Sequence, residues 1–176
     1  SVGVGATSAG GTGTLYIDKT DDNYGIGEGL TFHADAEDNI ALGENALNST
    51  TGAALKNIGI GTDALTAVNT GDENVAIGYQ AGAALLTGES NVAIGFKALD
   101  VATTALNNTA IGKNVMGAVP ASVALDGCVA VGDGALLGAA GTTTAANYTV
   151  AIGTSALTAL TSGAKNTAIG YQALTA

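Results

Sequence analysis

Aromatic side chains are scarce: the 176 residues contain no Trp, two Phe and five Tyr. A core must therefore come from Ala, Val, Ile and Leu, and such a core is narrow because few side chains here fill a wide one. Charge is scarce as well, at 11% of residues, against roughly a quarter in a typical soluble domain. What charge exists is one-sided. Five basic and fifteen acidic residues leave a net charge of −10, so nothing offsets the phosphates of nucleic acid or of an anionic membrane surface, and neither is expected as a partner. A single cysteine, Cys128, excludes an internal disulfide framework. A single histidine, His33, excludes a multi-histidine zinc site. No apolar run approaches the ~20 residues of a membrane span, and no signal peptide is visible. The chain begins at Ser1, which reads as a processed, cloned or excised segment.

The residues that are present are mostly Ala, Gly, Thr and Asn, with 27 Gly and one Pro. A hydrophobic content of 47% with so few charges argues against disorder. The chain also repeats itself. "NVAIGYQAG" at 74–82 returns as "NTAIGYQAL" at 166–174, and the shared core closes on Gly43, Gly61, Gly78, Gly95, Gly112, Gly132, Gly153 and Gly170. The separations are 18, 17, 17, 17, 20, 21 and 17 residues. Weaker copies end their cores at Gly5 and Gly27, giving ten candidate units. A fixed period of this length marks a solenoid or array.

The averaged unit reads N-x-A-[I/V]-G-x-x-A-L, followed by a polar tract such as "TGDEN" or "TSGAKN". Read as strand, bend, short strand and turn-rich loop, it predicts one coil of an all-β parallel solenoid of about ten coils. Helical repeats fail because Gly and β-branched residues interrupt every unit before ~12 helical residues accumulate. Collagen fails for want of Gly at every third position. Both faces of the core strand are apolar, so one is expected inside the coil and the other against a second copy of the chain. The expected assignment puts Val and Ile inside. It leaves the small Ala41, Ala76, Ala93, Ala110, Ala130, Ala151 and Ala168 as the oligomer interface. Asn39, Asn57, Asn74, Asn91, Asn108 and Asn166 open the units, with Cys128 and Thr149 in the equivalent places of two irregular ones. Their expected role is structural: capping turns and stacking amides between coils, rather than binding a sugar or ion.

"NVAIGYQAG", "NTAIGYQAL" and "NVAIGFKAL" resemble the head repeats of trimeric autotransporter adhesins. They are more similar still to the repeats of phage tail fibres and tail-fibre-like bacterial surface proteins, and "VGVGATS" resembles a segment found near such repeats. The resemblance spans about 39–176 and, more weakly, 1–38. It implies a left-handed parallel β-roll, a homotrimer, and the shaft or head of an extracellular fibre on a virion or bacterial surface. The period of 17–21 residues departs from the shorter adhesin repeat, which puts extra residues into loops. No anchor or intramolecular chaperone follows Ala176, as expected of a mature fibre or a fragment.

Chemistry is sparse. "GIGTDA" at 59–64 satisfies a loose dinucleotide pattern, but its glycines belong to the repeat and no βαβ context surrounds it. No catalytic triad stands out, and no cofactor is expected, so the chain reads as a non-enzyme. His33 reads as a surface or turn residue, and Cys128 as a small buried filler. The acidic stretch from Asp18 to Glu44 holds eight of the fifteen acids. Asp18, Asp21 and Asp22 are candidate calcium ligands there. An N-terminal cap or joint over 1–38, ahead of a roll over 39–176, is the plainer expectation. "TLYI" (14–17) and "LTF" (30–32) are expected to pair as short strands. Sequons stand at Asn48, Asn107 and Asn147. The expected function is a stiff structural segment of an extracellular fibre. The alternative is a receptor- or glycan-binding adhesin head using the long inserts after Gly112 and Gly132, although these hold almost no aromatics to stack on sugars. An ice-binding array would need regularly spaced Thr, and Thr here lies in irregular loops.

Overall fold

Each N-x-A-[I/V]-G unit contributes only three residues of strand, because the glycine that follows turns the chain. The computed structural model describes residues 30–31, 38–49, 54–120, 123–138 and 146–175. The strands are β1 (Leu30–Thr31), β2 (Ile40–Leu42), β3 (Ile58–Ile60), β4 (Val75–Ile77), β5 (Val92–Ile94), β6 (Thr109–Ile111), β7 (Val129–Val131), β8 (Val150–Ile152) and β9 (Thr167–Ile169). They form one sheet in sequence order. Strands β2 to β9 pair in parallel and in strict register, so that Val75, Ala76 and Ile77 sit beside Val92, Ala93 and Ile94. The result is an all-β parallel solenoid with no helix among the described residues. The units ending at Gly5 and Gly27 lie outside the described residues, as do "TLYI", His33, Asp18, Asp21 and Asp22. Leu30 and Thr31 do form a strand, but its partner is β2, which it meets antiparallel at the N-terminal edge of the stack.

The interior reverses the face assignment expected from sequence. Ala41, Ala76, Ala93, Ala110, Ala130, Ala151 and Ala168 are buried within the chain's own coil, and the Val and Ile residues point outward. The alanines are therefore core residues, not an interface. The reason is thickness. The second limb of each coil sends Leu47, Leu65, Leu99, Met116, Leu136 and Leu157 across the interior, all fully or almost fully buried. A Cβ added at Gly59, which takes the Ala position in β3, would lie 3.2 Å from Leu47 Cγ. One methyl and one leucine fill the coil, and a β-branched residue on the inner face has no room.

Left-handed backbone makes the compact coil possible. Twenty-one non-glycine residues with positive φ fall into three columns: the residue before each Asn position, and the second and fourth residues after each turn glycine. Asn45, Asp63, Gln80, Lys97, Asn114, Ser155 and Gln172 form one column; Leu47, Leu65, Leu99, Met116, Leu136, Leu157 and Leu174 form another. Such residues each cost on the order of 1 kcal/mol. Here the flipped peptides aim their N–H groups at a neighbouring coil. Gln80 N donates to the Thr62 carbonyl (3.0 Å), Lys97 N to Tyr79 (2.9 Å) and Leu99 N forward to Val115 (2.9 Å). The ladder thus extends well past the three-residue strands.

Candidate functional site

Two features of the repeat stand out as candidates: the buried column at the Asn position and the outward face of the strands.

The buried column is fully engaged. Asn57 Nδ2 donates to Asn39 Oδ1 (3.2 Å) and to the Gly71 carbonyl (2.8 Å). Asn74 repeats this with Asn57 Oδ1 (3.1 Å) and Gly88 (2.8 Å), and Asn91 with Asn74 Oδ1 (3.0 Å) and Ala105 (2.7 Å). Each Oδ1 also accepts the backbone N–H of the next member, as from Asn91 to Asn74 (3.1 Å). With its donors and acceptors turned on its neighbours, the column presents nothing to a ligand. The chain of amides ends at Cys128, whose N–H reaches Asn108 Oδ1 (2.9 Å) and whose Sγ donates to the Ala146 carbonyl (3.1 Å). Burial pushes the Cys128 thiol up, against the lowering effect of backbone hydrogen bonds from Thr149 and Tyr148, so it stays a protonated filler. Asn166, on the last coil, turns back to the Gly163 carbonyl of its own loop (2.8 Å).

The outward face is the opposite case. Residues flanking each buried Ala stack in two columns, one running through Ile40, Ile58, Val75, Val92, Thr109, Val129, Val150 and Thr167. The other runs through Leu42, Ile60, Ile77, Ile94, Ile111, Val131, Ile152 and Ile169. Fourteen of these sixteen positions are aliphatic, and Ile40, Leu42, Ile77, Ile111, Ile152 and Ile169 count among the exposed large hydrophobics. Eight strands at the usual spacing give a strip about 34 Å long. Two residues beyond Ile77 and Ile94, Tyr79 and Phe96 stack with ring centroids 5.3 Å apart and planes 20° from parallel. Lys97 Nζ lies 5.8 Å over the Phe96 ring. Every described aromatic (Tyr79, Phe96, Tyr148, Tyr171) is exposed, and none stands among the described core residues. The sequence misread this face because both sides of the strand are apolar. The available signal was size: a Leu stands four residues past six of the eight turn glycines, and Met116 past a seventh, and these already fill the interior.

Around the long inserts, Asp126 joins three coils. Its carboxylate accepts Asn107 Nδ2 (3.0 Å) and the Tyr148 hydroxyl (2.8 Å), and its N–H donates to Asn147 Oδ1 (3.0 Å). The Asn107 amide and then the Tyr148 hydroxyl hold the Asp126 carboxyl below the usual carboxylate range, and the same bond pushes Tyr148 up. Two of the three sequon asparagines, Asn107 and Asn147, therefore serve as inter-coil linkers, whereas Asn48 is exposed. Within the inserts, residues 121–122 and 139–145 lie outside the described residues. Among the described residues no group of three or more His, Cys, Asp or Glu side chains is placed to hold a metal ion, and no helix is long and apolar enough to cross a membrane. No family model, no curated protein and no solved structure matches this chain.

Proposed function

We propose that this chain is a structural subunit of an extracellular fibre, a non-enzymatic rod in which three copies pack side by side along a common axis. In this reading the coils wind left-handed, and the N-terminal units bring their number to about ten. One observation carries the proposal: a regular aliphatic strip runs along a stack of coils whose interior is already full. Water-facing strips of this length are costly, since apolar surface left exposed forgoes roughly 25 cal/mol per Å². The strip offers on the order of 350 Å², well under the roughly 800 Å² per partner of a standard interface. Flanking residues such as Tyr79 and Phe96 therefore join the contact.

Sedimentation equilibrium tests this directly. A mass of three times the 16.9 kDa chain is expected, with Ile77→Lys plus Ile94→Lys reducing it to one chain without loss of β-structure. A stable monomer in the unaltered protein would refute side-by-side assembly. The adhesin alternative is favoured by a different observation, the exposed Tyr79–Phe96 stack beside Lys97, a surface suited to the apolar face of a sugar. Glycan-array binding that disappears in Tyr79→Ala and Phe96→Ala would move the function towards recognition.

A further inference from the structure

The bends of the coils repeat a small polar device. The fifth residue after a turn glycine can reach two carbonyls, those of the second residue after the glycine in its own coil and in the coil before. Thr158 shows the full pattern: its hydroxyl donates to the Ser155 carbonyl (2.7 Å) and to the Gly134 carbonyl (3.3 Å). Thr66 shows half of it, donating to the Asn45 carbonyl (3.4 Å).

Between the coils of β5 and β6 the donor gives way to its opposite. The fifth residues there are Asp100 and Gly117. Gly117 brings no side chain. A Cβ built on it would lie 3.2 Å from the Lys97 carbonyl oxygen, 3.2 Å from the Asn114 carbonyl oxygen and 3.2 Å from Asp100 Oδ1. These two carbonyls are the equivalents of Gly134 and Ser155. Three oxygens, one of them a carboxylate's, therefore converge where Thr158 places a hydroxyl. Asp100 Oδ1 is buried with no hydrogen-bond partner, and a buried acceptor of this kind calls for a donor or a positive charge. The nearby ammonium is directed elsewhere. Lys97 Nζ lies over the Phe96 ring, and the ion pair found among the described residues joins Lys56 to Glu73. As whole residues, Asp100 and Gly117 are only half-buried, so the rim of the cluster is open to water.

We propose that Asp100 Oδ1 and the carbonyl oxygens of Lys97 and Asn114 form a calcium site that clamps the coil of β5 to the coil of β6. Carboxylate, carbonyl and water oxygens are the ligands of hard cations, whereas copper and zinc favour imidazole and thiolate. Calcium tolerates an irregular shell completed by water; magnesium demands a compact octahedron and gives up its waters reluctantly. With one carboxylate, the site belongs at the weak, millimolar end of calcium binding. The net charge of −10 draws cations to the chain. Locally the Lys97 ammonium opposes the ion even as the Lys97 carbonyl holds it. The site is complete within one chain and does not depend on side-by-side assembly.

The test follows the thermal midpoint of the full chain by circular dichroism at pH 7. The protein is first stripped with a chelator, and calcium chloride is then added at an ionic strength held constant with sodium chloride. A saturable rise of about 3–5 °C is expected at calcium concentrations about ten times the dissociation constant. Asp100→Asn removes the anion, and Gly117→Ser puts a hydroxyl where Thr158 has one; each abolishes the rise while the chain remains folded without calcium. Lys97→Gln keeps the carbonyl and removes the repulsion, so the half-saturating calcium concentration falls severalfold. Gln80 and Gln172 already occupy the same left-handed column, so the backbone accepts this change. Asp133→Asn removes an exposed acid elsewhere and leaves the response intact. The proposal is overturned if calcium produces no saturable shift, or if magnesium produces an equal one. A shift that survives Asp100→Asn, or that Asp133→Asn abolishes equally, also overturns it, since either marks general screening of an acidic chain.

Discussion

Replacing Asn74 by Ala isolates what the buried amide column contributes. The substitution removes an Nδ2 that donates to Asn57 Oδ1 and to the Gly88 carbonyl, and an Oδ1 that accepts Asn91 N and Asn91 Nδ2. Two of those partners keep other bonds. Asn57 Oδ1 still receives Asn74 N, and Asn91 Nδ2 still reaches Glu89 and Ala105. The Gly88 carbonyl and the Asn91 N–H are left unpaired beside a side-chain void. At about 1–3 kcal/mol for each orphaned buried group, the expected cost is about 2–6 kcal/mol. Asn166→Ala is the internal control: the same residue type in the same repeat position, but only half-buried, bonded to its own loop and by long contacts of 3.4 and 3.5 Å to Thr149 Oγ1. It is expected to cost less than about 1 kcal/mol. Urea denaturation followed by far-ultraviolet circular dichroism measures both, with unchanged m-values indicating that the same surface unfolds. If Asn74→Ala and Asn166→Ala differ by less than about 1 kcal/mol, the column is not held by the network described. Asn74→Asp adds a pH arm. The carboxylate keeps the acceptor but faces the Gly88 carbonyl without a donor, so burial raises its pKa and the deficit shrinks as pH falls through that raised value.

Three further substitutions test other parts of the coil. Gly78→Ala places a methyl 2.6 Å from the Gly95 carbonyl oxygen at a φ of +132°, and is expected to cost about 3 kcal/mol or more. Gly170→Ala, with φ +130° but open space, keeps only the backbone strain, so equal midpoint shifts for the two variants would refute the close approach between coils. Gly82→Leu makes the repeat at 74–82 match the one at 166–174 at all but the Val75/Thr167 position, yet the space is already occupied: a Cβ there lies 2.9 Å from Leu65 Cδ2 and 3.1 Å from Leu85 Cδ1. A loss of about 1–3 kcal/mol is expected from overpacking, and a gain in thermal midpoint would show that the consensus outweighs the local fit. Asp100 has a buried Oδ1 with no hydrogen-bond partner, and desolvation raises its pKa against the lowering effect of Lys97. Because the folded pKa is raised, charging Asp100 opposes folding as pH rises. Asp100→Asn should therefore raise the midpoint at pH 7, with the gain fading as pH falls through the raised pKa; a gain independent of pH would argue against this cause.

Much of the molecule is legible in one dimension because a solenoid is nearly one-dimensional. Its contacts join residue i to residues about 17 positions away, so the period of the glycines and asparagines is also the pitch of the structure. The three left-handed columns leave a trace too. None of their described members is Val, Ile or Thr, the residues for which such backbone is most strained. The candidate surface was harder to read. The alternation in "NVAIG" separates two faces but carries no sign saying which is inner, and both are apolar. The Asp126–Asn107–Tyr148 linkage was invisible, since it joins residues on three coils at two irregular spacings, 19 and 22 positions apart.

The sequence by itself determined the repeat, the strand at its centre, the turn at its glycine and the stacking of like on like, because each follows from local chemistry multiplied by a fixed period. Only the tertiary structure decided the rest. Alanine faces inward because the leucine of the second limb has already filled the coil. The aliphatic residues face outward for the same reason, and they leave an apolar strip on the surface of the solenoid. The N-terminal edge also belongs to tertiary structure: β2 is covered there by β1, which meets it antiparallel, where every other pairing in the sheet is parallel.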